Sequence, residues 1–451
     1  MSNWFNDAIF YHIYPLGLAG VSVNNDHSMQ PQHGLRQITP WIDHCVSLGV
    51  NALYIGPLFE STSHGYDTTD YFMVDRRLGT NDDFAEFVQK CHSCGVKVIV
   101  DAVFNHVGRE HFAFRDLQQN GWNSHYRDWF ITNFDRRSNY GDSFWYEGWN
   151  GHYNLVKLQL NSHNVRKHIF DAVAYWMDAF GIDGLRLDAA DSIDKNFFNE
   201  LRHFCNARRP DFWLMGEVIH GNYRDWVNGD KLDSVTNYEC YKGLWSSHND
   251  ANYFEIAYTL DRQYGTYGIY KGISLYNFAD NHDVDRVATC LKNSAHIYPL
   301  YLLLFTIPGI PSVYYGSEWG IDGKKIRGTD TPLRPALNLD KQNSEPGGNS
   351  IKNEIRKFIS IRKQLSALRY GSYKSLLVKS QQYAFLRETD SSTVIVAVNA
   401  ATENVAAEMH LSFPDGTVVV DKLNNNEPFI IQNGKLDVVL YSFWGRVMEV
   451  V

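Results

Sequence analysis

Short apolar runs recur along the chain, each followed by a longer stretch in which apolar positions return every three to four residues. The runs are AIFYHIYP (8–15), ALYIGP (52–57), VKVIVDAVF (96–104), GIDGLRLD (181–188), FWLMGEV (212–218), SLYNFAD (274–280) and IPSVYYG (310–316), with a weaker one at 232–235. Runs of this length and β-branched content, without polar alternation, predict strands buried on both faces. The stretches between them, such as 81–94, 164–180 and 195–207, carry helical spacing. Eight strands alternating with helices predict an α/β fold, a (β/α)8 TIM barrel. An open doubly wound sheet is the rival, but no Gly-rich phosphate-binding turn follows the first strand.

Two stretches break the alternation. Residues 105–159 are dense in Trp, Tyr, Asn, Gly and His with little periodicity, as in NGWNSHYRDWF and SFWYEGWNGHYN. They predict an inserted domain, an excursion after strand 3 that overhangs the barrel mouth. From residue 371 to 451 short alternating runs are separated by turn residues such as Asn433-Gly434, which predicts a C-terminal all-β domain of sandwich type. The barrel itself is then assigned to 1–104 and 160–370. The longest apolar stretch, Ile297 to Tyr315, is interrupted by Pro308, Gly309 and Pro311, so it predicts a buried helix followed by a buried strand and not a membrane span.

Composition narrows the function. With 451 residues, 44% hydrophobic and 21% charged, the chain has the balance of a folded globular protein. Its net charge of −9 and lack of a basic block argue against nucleic acid as a partner. Aromatics make up 14%, which suits stacking on flat, weakly charged ligands such as sugars. The opening MSNWFNDAIFYHIYP lacks a basic start and a sustained apolar stretch, from which a cytoplasmic location is expected. Six cysteines are too sparse for a disulfide framework. Cys91 and Cys94 form a CxxC, but it ends a helical pattern (Phe84, Phe87, Val88, Cys91) and no second Cys or His pair stands at metal spacing.

In a barrel of this kind the chemistry lies at the C-terminal ends of the strands. Here those ends are mostly acidic: Asp101, with Asn105 and His106 just beyond; Arg186 and Asp188; Glu217; and Asn281, His282 and Asp283. A strand-end Asp is often only a helix N-cap, and Arg186 with Asp188 could be a structural ion pair. The ordered set is harder to explain that way, because buried carboxylates are costly unless they are paired or hydrogen-bonded. Paired carboxylates suit glycoside hydrolysis, one attacking the anomeric carbon while the other protonates the leaving oxygen. Residues i and i+2 of a strand share a face, so Arg186 is expected to lower the pKa of Asp188 and mark it as the ionised nucleophile. Glu217, with no cation beside it in sequence, is expected to be the raised acid/base, and Asp283 to bind hydroxyls and stabilise positive charge on the ring.

The motifs DAVFNHVG (101–108), GLRLDAAD (184–191), GEV (216–218) and NHD (281–283), in this order, make the chain similar to the α-amylase superfamily of retaining glucan-active enzymes. FYHIYPLG at the first strand, HGYDTTDYFMVDRRLGTNDDF (64–84) and GIPSVYYGSEWG (309–320) add to the resemblance, which runs from about residue 4 to 370. It implies cleavage of α-glucosidic links, mainly α-1,4, through a covalent glucosyl-enzyme, with Asp188 as nucleophile, Glu217 as acid/base and Asp283 as third acid. It also implies that His106 and His282 touch the reacting sugar, that Arg186 supports Asp188 and that Tyr66 stacks under the same ring. No cofactor is required by this chemistry; Asn105 stands where relatives often place a calcium ligand or a structural residue, so calcium is the candidate metal. Many α-amylases carry Lys-His three and four residues after the nucleophile, where this chain has Asp191 and Ser192. The stretch GEVIHGNYRDWVNGDKLDSVTNY, including His220, instead resembles the cyclomaltodextrinase, neopullulanase and maltogenic amylase group. That group usually has an additional N-terminal β domain that helps form dimers. The expectation is therefore an oligosaccharide hydrolase without the dimerising domain, monomer or homodimer, with no membrane partner. A transglycosylase or plain endo-α-amylase of the same family is the alternative, and a non-catalytic sugar-binding homologue would be expected to have lost some of the acids.

Overall fold

The computed structural model describes residues 4–345 and 349–451. Eight parallel strands run in sequence: β1 (Phe10–Ile13), β2 (Ala52–Ile55), β3 (Lys97–Ala102), β4 (Gly184–Leu187), β5 (Trp213–Gly216), β6 (Ser234–Val235), β7 (Tyr276–Phe278) and β8 (Ile310–Tyr314). Each pairs with the next, except that β6 and β7 meet only through a bridge from Thr236 to Tyr276, and β8 pairs back onto β1. The result is a nearly closed barrel, with the gap at the two-residue strand whose sequence signal is weakest. The apolar stretch 297–315 resolves into the buried helix Ile297–Thr306 and β8, as the prolines require.

Side chains pointing inward sort by height. Phe10, Trp213, Tyr276 and Ile310 fill the barrel, with Phe10 and Trp213 stacked at 4.9 Å. One layer higher the register places Arg186 beside Asp101 on one side and Met215 on the other. Because inward residues alternate along a strand, Asp188 and Glu217 then stand one step above Arg186 and Met215, at the mouth. Outside the barrel, the helix Asn81–Ser93 begins with a capping box between Thr80 and Asp83 and buries Phe84, Phe87, Val88 and Cys91. Cys91 is thus a core residue, and all six cysteines are free.

The excursion after β3 contains the helix Phe112–Asn120 and a small antiparallel sheet of His106–Gly108, His152–Lys157 and Gly148–Trp149. His106–Gly108 starts four residues past the end of β3, which ties this sheet to the barrel mouth. Behind the barrel lie β9 (Ser372–Val378), β10 (Gln382–Thr389), β11 (Ser392–Asn399), β12 (Val405–His410), β13 (Val418–Asp421), β14 (Glu427–Ile430), β15 (Lys435–Leu440) and β16 (Trp444–Val450). They form a six-stranded antiparallel sheet, β9-β10-β11-β16-β13-β14, and a β12-β15 pair that share a core including Ile395, Met409, Leu436 and Met448. Asn433 and Gly434 both take positive φ, 52° and 68°, the backbone that a two-residue hairpin turn requires.

Of two buried arginines here, Arg387 on β10 bonds across from the sheet domain to the barrel, and Arg362 on the helix Asn349–Gln364 bonds within the barrel. Arg362 donates to the carbonyls of Phe305 and Gly309, and Arg387 to those of Thr306, Leu368 and Gly371. Neither has a carboxylate partner among the described residues. Burial pushes both guanidinium pKa values down to about 9, which still leaves them charged at neutral pH.

Candidate active site

Arg186 is the hub of the mouth. Its Nη1 lies 2.8 Å from Asp101 Oδ1 and 2.9 Å from Asp188 Oδ1, and its Nη2 lies 2.8 Å from Glu217 Oε2. Asp101 also accepts from the hydroxyls of Tyr54 (2.8 Å) and Tyr66 (2.9 Å). Glu217 Oε2 accepts the Ala189 N–H at 3.1 Å, and the Tyr238 hydroxyl stands 3.5 Å from Oε1. Asn281 donates to that same hydroxyl at 3.1 Å.

This geometry corrects one expectation about charge. The pairing of Arg186 with Asp188 alone, read from their spacing, is replaced by one guanidinium divided among three carboxylates, because Glu217 reaches it across β4 and β5. Burial raises Asp188 well above the usual carboxylate range despite Arg186, and raises Glu217 as well. Neighbouring buried acids of this kind share protons as a pair. Asp283 goes the other way. Burial pushes it up, but His282 at 2.9 Å and Arg334 at 2.9 Å outweigh that and hold it far below the usual range.

The other expected residues divide into two groups. Tyr66 and His282 belong to the cluster: their rings stack at 5.5 Å and 11°, and the Tyr66 hydroxyl hydrogen-bonds His282 Nε2. His106 is buried with Nε2 facing Asp188 Oδ2 at 3.9 Å, and burial lowers its pKa to about 3, so the ring is neutral. His220, in contrast, is exposed on the loop after Glu217 and has no side-chain partner among the described residues. Asn105 is buried, with its amide nitrogen 3.1 Å from His106 Nδ1. Among the described residues no group of three or more His, Cys, Asp or Glu could hold a metal ion. Calcium takes about six to eight oxygens, usually including carboxylates, so the residues near Asn105 fit it poorly.

Sequence reasoning missed Arg334, Tyr238, Tyr54 and Trp149. Tyr238 follows the end of β6 and was findable by the strand-end rule. Arg334 lies beyond β8 in the irregular TPLRPAL, and nothing in its spacing points to Asp283. Trp149 comes from the excursion, stacking on His106 at 5.4 Å.

A carboxylate cluster of this kind, at the mouth of a parallel barrel with an inserted sheet behind β3, can be compared with known proteins. Residues 24–358 match the family model described as alpha amylase, catalytic domain. The chain belongs to the α-amylase family. Its relatives include a cyclomaltodextrinase of Bacillus sp, 33% identical over 421 residues, covering 88% of this chain and 73% of that protein. An intracellular maltogenic amylase of Bacillus subtilis is 27% identical over 425 residues, covering 88% of this chain and 69% of that protein. Among solved structures, the ligand-free cyclic α-maltosyl-(1→6)-maltose hydrolase of Arthrobacter globiformis superposes with a TM-score of 0.83 at 28% identity, covering 100% of both chains. This α-amylase-family chain is a glycoside hydrolase related to cyclomaltodextrinases and maltogenic amylases, and the family implies a glucan substrate. No helix among its described residues is long and apolar enough to cross a membrane.

Proposed function

We propose that the enzyme hydrolyses α-glucosidic bonds, mainly α-1,4, of maltooligosaccharides, cyclodextrins or related short α-glucans with retention at the anomeric carbon. The observation that carries this reading is the single Arg186 guanidinium spanning Asp188 and Glu217. It keeps the two carboxyls close, as direct attack requires, whereas an inverting site needs room for a water between them. Asp188 attacks the anomeric carbon while Glu217 protonates the glycosidic oxygen, and the leaving saccharide departs. Water then attacks the same carbon, gives a proton back to Glu217, and breaks the ester to Asp188.

Bound sugar settles which acid holds the shared proton. Positive charge developing at the anomeric carbon favours ionised Asp188, and the leaving oxygen, an acceptor, favours protonated Glu217. Asp283, ionised between His282 and Arg334, stabilises the same positive charge. Tyr66, with its hydroxyl on Asp101, offers its ring to the sugar's apolar face. Neutral His106 offers Nε2, which is buried without a hydrogen-bond partner among the described residues, to a hydroxyl. No step is routed through a metal. The intracellular Bacillus relative supports a cytoplasmic site of action on oligosaccharides that have already been taken up.

The test is a product time course on equal masses of cyclodextrin, maltoheptaose, pullulan and soluble starch, with Asp188→Asn as the blank. Faster turnover of rings and short chains than of starch is expected, with Asp188→Asn at least about 10³-fold slower. Starch preferred with long products first would make the enzyme an endo-amylase, and products longer than the donor would make it a transglycosylase.

A further inference from the structure

The chain turns sharply just after Asp188, and the turn touches the neighbouring acid. Asp188 still donates its backbone N–H to the Ala102 carbonyl at 3.1 Å, as a strand residue would, but Ala189 has φ 46° and ψ 43°. That is the left-handed region, which a residue with a Cβ rarely adopts. Such strain persists where the surroundings impose it. Here the surroundings are the end of β5. A Cβ on Gly216 would lie 2.9 Å from Ala190 Cβ, and Asp191 accepts the Ile219 N–H at 3.3 Å, so the turn is clamped both before and after Glu217. Between those two contacts the Ala189 N–H points at Glu217 Oε2, 3.1 Å away.

The two oxygens of Glu217 therefore differ. Oε2 faces two groups that can only donate, the Ala189 N–H and Arg186 Nη2 at 2.8 Å. With two donors against its two lone pairs, Oε2 has no place for a proton. Oε1 faces the Tyr238 hydroxyl at 3.5 Å, which can accept as well as donate. We infer that Ala189 is a positioning residue whose backbone N–H, aimed by the left-handed turn, reserves Oε2 as an acceptor and leaves on Oε1 the proton that Glu217 gives to the glycosidic oxygen. The inference rests on the hydrolase reading above. In the step, the O–H bond at Oε1 breaks as the glycosidic oxygen takes the proton. The negative charge left on the carboxylate meets an N–H already in place, so no backbone has to move. The titratable groups facing Glu217 are Arg186 and Asp188 from β4 and its end, Tyr238 after β6, and His282 and Asp283 after β7. Burial raises the pKa of Glu217, and the Ala189 N–H is among the groups that oppose it.

Two measurements test it. Neutron diffraction from wild-type crystals in mildly acidic D2O should show a deuteron on Oε1 of Glu217; a deuteron on Oε2, or on neither oxygen, would overturn the inference. The second removes the N–H alone, by replacing Ala189 with lactic acid through nonsense suppression so that the amide becomes an ester. It compares maltotriose, whose leaving sugar needs the proton, with α-maltosyl fluoride, whose fluoride departs with little help. The ester variant, first checked for a wild-type melting profile, should lose at least about tenfold in kcat on maltotriose and less than about threefold on the fluoride. The basic limb of its kcat/KM profile should move to higher pH, because Glu217 has lost a group that favours its ionised form. Ala189→Gly, which keeps the N–H and takes the left-handed backbone without strain, should retain both the substrate ratio and the limb. An equal loss on the two substrates with an unmoved limb, or a Gly variant that behaves like the ester, would overturn the inference, since the turn would then serve only the fold. Failure of the hydrolase reading shows up separately, as a wild type that cleaves neither substrate, and leaves the neutron result to judge where the proton sits.

Discussion

Asp188 is held in a place that costs the fold stability. Its folded pKa is raised, so over the window between its unfolded and folded values the native state binds the extra proton, and stability falls as pH rises through that window. Asp188→Asn removes the titration and keeps the shape. We expect the variant to melt a few degrees above the wild type, on the order of 1 kcal/mol, with a larger difference at pH 8 than at pH 5 in calorimetry. The opposite trend would show that Arg186 stabilises ionised Asp188 more than burial opposes it. Asp283 has the reverse sign, since its lowered pKa lends stability that is lost only as pH falls through the acid range. Arg334→Leu removes one of its two partners, so Asp283 protonates at higher pH. Asp283 starts so far below the usual range that the raised Asp188 and Glu217 still set the acid limb of the kcat/KM profile, so kcat/KM should fall at least about tenfold with the limb in place, and a limb that moves upward would show that Asp283 titrates there.

The strands β2 and β3 set the height of the cluster, and a glycine lets them approach. A Cβ on Gly56 would lie 2.3 Å from Asp101 Cβ and 2.9 Å from its backbone nitrogen. Gly56→Ala should therefore displace Asp101 and, through it, Arg186, lowering kcat/KM at least about 100-fold and reducing thermal stability; near-normal activity would show that the barrel absorbs the methyl elsewhere. Much of this architecture was readable beforehand. Strands buried on both faces leave unbroken apolar runs, so seven of the eight were plain, and even the two-residue β6 left a trace at Leu232. Acids at strand ends were readable for the same reason, since an inward carboxylate interrupts an apolar run. What no run encodes is how the barrel closes, which is what brings Glu217 to Arg186 from a neighbouring strand and Arg334 to Asp283 from an irregular loop. The resemblance in GEVIHGNYRDW suggested His220 as a sugar contact, and its side chain stands exposed on the loop after Glu217, outside the cluster around Arg186.

One buried cation, Arg387, bonds directly from the sheet domain to the barrel. Arg387 reaches from β10 to carbonyls at the end of the helix preceding β8 and of the segment leading into β9. Arg387→Met would leave several buried carbonyls without donors. We expect a loss of about 3 kcal/mol in urea unfolding, and a separation of the single transition into two as the sheet domain comes loose. An unchanged, single transition would mean that apolar packing alone holds the domains together. The arrangement also bears on how the chain is made. All eight barrel strands have been synthesised by residue 314, but the donor for Thr306, Leu368 and Gly371 lies at position 387, on a domain that emerges from the ribosome later. The end of the helix Ile297–Thr306 thus waits, during translation, for a residue that belongs to the neighbouring domain.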